Sequence, residues 1–226
     1  MTVKFITDIM NVEKKVFRIL AETHTLIADK LFNRVYSEYG IRLNKKKLRW
    51  GSVAPDYLPY YKFKRHYLEE SIGYISSEIV NLIYISRYVD FYNMKPFFKR
   101  FFSKRLGIIS HYLCDFTTKP HAIRETCTNI EDLKSHIKYE KDLAKYSLKH
   151  EFKVLDIDNS LLYSNHFITM RQSVEQFVRF VVDKYLENEF SFENDLDYAM
   201  SLSFSICDFI FETIFIYSEE MELQFI

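Results

Sequence analysis

Apolar residues recur at helical spacing through most long segments of this chain, and the residues that stop helices fall between those segments. A first helix is expected over residues 11 to 21, or onward through ETHTLIADKLFNRVYSEYG, where Gly40 offers a C-terminal stop. His24 lies in that region among Leu26, Ile27 and Leu31, which supply an apolar face. The following GSVAPDYLPYYKFKRH contains Gly51, Pro55 and Pro59 and should be mostly loop, a natural place to build a site. Helices are expected again at about 67 to 89, 95 to 116, 130 to 148, 160 to 188 and 194 to 219. No internal repeat or low-complexity segment interrupts this order.

Composition strengthens the all-α reading. Only 4 Gly and 4 Pro stand against 21 Phe and 17 Tyr, which favours long packed helices over short strands joined by tight turns. With 226 residues and 48% hydrophobic content, one substantial core and a single domain over 1-226 are expected. Lysine plus arginine equals aspartate plus glutamate, 31 each, so no net field draws the chain to nucleic acid, and a nucleic-acid partner is not expected. Two local basic clusters stand out, LNKKKLRW and KPFFKRFFSKR. The second reads as an amphipathic helix with a solvated basic face, with a phosphate-tracking or lipid-interface surface as the alternative.

Cys114, Cys127 and Cys207 are odd in number and lack CxxC spacing, which argues against a disulfide framework or a structural zinc knuckle and fits a reducing compartment. Near the start, Asp8, Glu13 and two lysines stand where a secretory signal needs an unbroken apolar run, so a cytoplasmic location is expected. The apolar stretch from Leu202 to Tyr217 reads as too short to span a membrane and, containing Asp208 and Glu212, as a buried helix; no transmembrane segment is expected.

The densest chemistry lies in HYLCDFTTKPHAIRETCTNIEDLKSHIKYE. His111 and Asp115 are four residues apart, as are His136 and Glu140, so on helices each pair projects from one face and can hold one cation. His121 follows Pro120, which places its imidazole on a turn between the two pairs. Zinc accepts imidazole and carboxylate together, and a catalytic site keeps one position open for water or substrate. One such pair alone is more often a surface ion pair or a hydrogen-bonded core histidine. Two pairs and a third histidine close together favour metal.

Taken in order after an early helical histidine, GSVAPDY, His66, HYLCDFTTKPH and HIKYE resemble the zinc-dependent phospholipase C family over roughly residues 24 to 145. The H-x3-D-x5-H and H-x3-E spacings agree with the family pattern without adjustment. The resemblance implies an all-helical bundle of the phospholipase C and single-strand nuclease type. It also implies a cluster of two or three zinc ions, and hydrolysis of a phospholipid head-group phosphodiester. Carried over by position, Asp56, His66, His111 and Asp115 would bind one zinc, His121, His136 and Glu140 a second, and His24 a third with Asp115 bridging. In secreted members the third ion also uses the amino group and carbonyl of an N-terminal Trp; here Met1 stands 23 residues before His24 and the only Trp is Trp50.

Zinc chemistry on its own terms agrees with that expectation. A water between two divalent cations loses a proton near neutral pH, giving a metal-bound hydroxide for in-line attack, and the cations neutralise phosphate oxygens in the transition state. Asp56 has two roles open to it, metal ligand and catalytic base steering the attacking water. Tyr57 and Phe63 fall where related phospholipases place aromatics near a choline group, and an aromatic face attracts a quaternary ammonium; ordinary packing is the alternative.

Two other readings stay open: a single-strand nuclease-like phosphodiesterase, and a protein that keeps the metal scaffold for structure or partner binding without turnover. His150 and His166 match nothing in the pattern and are read as surface or core histidines. Asp208 and Glu212 have the four-residue spacing without histidine nearby and should be solvent-facing or hydrogen-bonded. Nothing beyond about residue 145 resembles the lipid-binding sandwich domain that follows the catalytic part in some toxins, so the remainder should complete the same helical domain.

Overall fold

The computed structural model describes residues 2–125, 130–163 and 169–224. Among them there is no strand, and the helices are α1 (Thr2–Tyr39), α2 (Lys45–Gly51), α3 (Ala54–Tyr57), α4 (Leu68–Ser86), α5 (Pro96–Phe116), α6 (Lys119–Ala122), α7 (Ile130–Ser147), α8 (Ser160–Tyr163), α9 (Met170–Leu186) and α10 (Phe192–Gln224). A 3-10 turn at Pro59–Phe63 lies between α3 and α4.

α5 is the helix around which the others pack. It meets α1, α2, α4 and α10, and every residue from Leu106 to Phe116 is buried. Its neighbours bring apolar faces at the expected spacing: Ile27, Leu31 and Val35 from α1, and Ile75, Ile79 and Ile83 from α4. α9 closes the far side of α4 with Val174, Val178 and Val181. A helix buried all round is normally apolar all round, yet α5 carries His111 and Asp115 inside. Buried charge needs partners, so the core must be organised around those two side chains.

Several elements depart from the sequence pattern for local reasons. The first helix is one continuous element from Thr2, and it stops at Gly40, whose φ of 68° only glycine adopts without strain. The basic run near Lys45 forms α2, capped by the Asn44 side chain accepting from Lys47 N at 2.9 Å. The segment expected to be mostly loop holds α3 and the 3-10 turn. Pro55 and Pro59 stand in their first turns, where the missing N–H costs nothing. Pro120 acts the same way: His121 lies in the one-turn α6 rather than on a bare turn. The single helix expected over 160 to 188 is two, because Thr169 is extended and caps α9 in a reciprocal capping box with Gln172.

α10 is longer than expected and, by length and composition, is long enough to cross a membrane, which corrects the reading of its apolar stretch as too short; 72% of its most apolar window is buried within the fold. Asp208 accepts from Arg34 Nη2 at 2.6 Å and Tyr39 Oη at 3.2 Å, and Glu212 accepts from Tyr163 Oη at 2.5 Å, so both acids are hydrogen-bonded. His150 is a core histidine, 2.7 Å from Asp197. Cys114 and Cys207 are buried free thiols. Cys127 and His166 lie outside the described residues.

Candidate metal centre

Five helices and one connecting segment deliver eight side chains to one place: His24 from α1, Asp56 from α3, His66 from the approach to α4, His111 and Asp115 from α5, His121 from α6, and His136 and Glu140 from α7. Asp115 is the hub. Its Oδ2 stands 2.9 Å from His66 Nδ1 and 3.2 Å from His111 Nε2, and its Oδ1 stands 3.3 Å from His24 Nε2 and 3.9 Å from His121 Nε2. Asp56 Oδ1 lies 3.6 Å from His66 Nδ1 and 3.5 Å from His111 Nε2. On the other side, Glu140 Oε1 lies 3.3 Å from His121 Nε2 and 2.9 Å from His136 Nε2.

These spacings fit cation ligation. Atoms about 2.0 to 2.1 Å from a tetrahedral zinc stand about 3.3 Å from one another along the edges of the tetrahedron. Most of the contacts lie close to that value, and three groups have all their donor atoms within 4.8 Å of each other: His24, His111 and Asp115; Asp56, His66 and His111; and His121, His136 and Glu140. Asp115 Oδ2 is buried without a hydrogen-bond partner among the described residues, although two imidazole nitrogens face it. A cation shared between those lone pairs would satisfy it. The donors are imidazole and carboxylate throughout, the set that zinc takes.

Without the cation, the electrostatics are those of charges forced together. Burial and the neighbouring His111 hold the His24 imidazole down at about 4. Burial also pulls on His111, but the Asp115 and Asp56 carboxylates outweigh it and leave that ring at about 9. The two rings are 4.2 Å apart, centroid to centroid, so a positive charge on one disfavours a second on the other. Burial would lift Asp115, yet His111, His121 and His24 hold it well below the usual carboxylate range. Glu140 is likewise lifted by burial and brought down to about 2 by His121 and His136. Each anion is held charged by the imidazoles that would share a cation with it.

Backbone contacts aim the first group. Gly51 and Gly107 let α2 and α5 touch: a Cβ built on Gly107 would meet the Leu48 carbonyl oxygen far inside van der Waals contact, with Ser52 N at 2.8 Å and Gly51 Cα at 2.9 Å. This closeness brings the Ser52 carbonyl 2.9 Å from His111 Nδ1, which donates to it and so turns Nε2 toward Asp56 and Asp115. The second group is braced from α10. Buried Asp195 accepts from Tyr139 Oη at 2.6 Å and Lys119 N at 3.3 Å, and from Tyr185 Oη at 2.7 Å, tying α7 beside Glu140 and α6 beside His121. Sequence reasoning missed this bracing. Gly107 inside a helical pattern was a signal for the close approach of α2 and α5, while nothing local distinguishes Asp195 from the other acids of α10.

All eight ligand positions read from the sequence are brought together here. Tyr57 follows Asp56 and is 41% exposed; Phe63, on the adjoining turn, is 92% exposed. A hollow lined by Thr23, His24, Asp115, Thr118, Tyr139 and Glu140 runs beside both groups. Residues 23–192 match the family model described as zinc dependent phospholipase C. No match was found among curated proteins or among solved structures. That match spans well over half the chain and contains every residue of the cluster, and the chain belongs to the zinc-dependent phospholipase C family.

Proposed function

We propose that the chain hydrolyses the head-group phosphodiester of a phospholipid with two zinc ions, and a third more weakly held. The observation that carries this reading is the convergence of two donor groups on either side of one buried carboxylate, Asp115. Asp56, His66, His111 and Asp115 would hold one ion, and His121, His136 and Glu140 the other. His24 and Asp115 would hold the third. His24, His111 and Asp115 stand together there, and solvent or substrate would complete the third ion's ligands.

Zinc bound there lowers the pKa of water and neutralises phosphate oxygens as charge redistributes. The chain's own residues supply position and proton traffic. Asp56, His66 and Glu140 are the least buried members, so substrate approaches across them. Asp56 turns Oδ1 toward His66 and His111, and its second oxygen would take the proton of the attacking water. Deeply buried His111 and Asp115 keep the frame rigid behind it. Tyr57, next to Asp56, would offer its ring to a cationic head group.

Metal analysis of purified protein, with head-group release from a short-chain phosphatidylcholine analogue and cleavage of a single-stranded oligonucleotide assayed in parallel, tests the reading. Expected are at least two zinc per chain and chelator-sensitive release of the head group. Less than one equivalent of transition metal, with no further uptake, defeats it. Cleavage of the oligonucleotide alone assigns the site to nucleic acid. Full metal content with neither activity assigns it to structure.

A further inference from the structure

The site opens beside a basic, aromatic surface that the metal chemistry does not use. Residues 41 to 67 contain eight basic side chains, Arg42, Lys45, Lys46, Lys47, Arg49, Lys62, Lys64 and Arg65, against one acid, Asp56, in a chain whose net charge is zero. Some of these bases are already engaged. Arg49 and Lys45 pair with Asp29, Arg42 lies over Tyr36, and Lys64 lies over Tyr74. Lys46, Lys47 and Arg65 are exposed. Interleaved with them are aromatic side chains that reach solvent: Trp50, Tyr57, Tyr60 at 70% and Phe63 at 92% exposure.

The arrangement is tied to the metal centre by short stretches of chain. Trp50 lies in the last turn of the basic helix α2, its ring 6.4 Å from that of Tyr57, and Tyr57 directly follows Asp56. The 3-10 turn then carries Tyr60 and Phe63 toward His66. Apolar rings with polar edges beside exposed lysines are the composition that settles at a membrane interface, where rings enter the head-group layer and bases meet anionic lipid. Phe63, at the end of that 3-10 turn, holds a phenyl ring that is 92% exposed.

We propose that this face, formed by α2 and the turn after α3, docks on an anionic lipid surface and presents the metal centre to it. The proposal rests on the phospholipid reading of the site. Charge complementarity chooses the occupant: lipid phosphates and carboxylates meet Lys46, Lys47 and Arg65 while Tyr60 and Phe63 enter the head-group layer.

Trp50, the only tryptophan, is a built-in reporter. Its emission is followed as zinc-loaded protein is titrated with phosphatidylcholine vesicles with and without phosphatidylserine, alongside co-sedimentation. A blue shift and binding are expected with the anionic vesicles. Lys46→Gln with Lys47→Gln should weaken that binding about 30-fold, and Tyr60→Ser about tenfold, with thermal stability retained because all three side chains are exposed. Phe97→Ser, in the other basic and aromatic cluster and 74% exposed, should leave binding unchanged.

No response to anionic vesicles overturns the proposal, as does binding that only Phe97→Ser weakens, or a Trp50 response to a single-stranded oligonucleotide without one to lipid. The two readings separate cleanly. Vesicle binding without head-group release defeats the proposed activity and leaves this surface standing. Release from a short-chain monomeric substrate without vesicle binding defeats the surface alone.

Discussion

Gly107→Ala would test whether the close approach of α2 and α5 is what aims His111. In an exposed helix interior, glycine to alanine stabilises by about 0.5–1 kcal/mol, because alanine loses less backbone freedom on folding. Here the new methyl meets the Leu48 carbonyl, Ser52 N at 2.8 Å and Gly51 Cα at 2.9 Å, all of them backbone. Ordinary contact needs α2 to withdraw by roughly 1 Å, and overpacking of this kind costs about 1–3 kcal/mol. The net is a loss of roughly 1–2 kcal/mol, or about 2–8 °C in Tm for a chain of this size.

The same withdrawal stretches the 2.9 Å bond from His111 Nδ1 to the Ser52 carbonyl. Loss of such an orienting bond lowers metal affinity by about 10–100-fold. Calorimetry and competitive zinc titration measure both effects. Gly73→Ala is the control: on α4 its methyl meets the flexible ends of Arg171 at 3.0 Å and Glu175 at 3.8 Å, so it should raise Tm slightly and leave zinc binding alone. A Gly107→Ala protein as stable as the parent, with unaltered zinc affinity, would refute the reasoning.

Other perturbations reach the centre from different directions. Asp115→Asn removes the carboxylate that faces four imidazoles, and metal analysis should show the loss of more than one zinc per chain. Tyr139→Phe should weaken zinc held by His121, His136 and Glu140, whereas Tyr185→Phe, which bonds the other oxygen of Asp195, should lower Tm without that selectivity; equal effects on zinc would contradict the bracing role. Chelation should lower Tm, and restored zinc should recover it, because a ligand that binds only the folded chain stabilises it. In the metal-free chain, Glu140 sits at about 2 against an ordinary 4.5, so the unfolded chain binds more protons between those values. Its contribution is complete above 4.5 and is lost as pH falls through about 2; Glu140→Gln should remove that part of the acid limb in a Tm against pH series.

Sequence pattern alone carried the helical class and the ligand set a long way. The 3.6-residue period marks α4, α5, α7 and α10 within a few residues, and i, i+4 spacing places His111 with Asp115 and His136 with Glu140 on shared helix faces. Both are local properties, fixed by the geometry of one helix. Short helices at Lys45, Ala54 and Lys119 escaped because one or two turns are too few to show a period, and the break at Thr169 escaped because apolar residues continue on both sides of it.

The tertiary structure decided what local geometry cannot. It alone turned Asp115 toward histidines from three other segments, set the Ser52 carbonyl against His111 through the contact of Gly51 with Gly107, and chose Asp195 to brace α6 and α7. In each case the deciding partner is distant in the chain, and its effect depends on distances of about 3 Å between elements whose packing no single helix specifies.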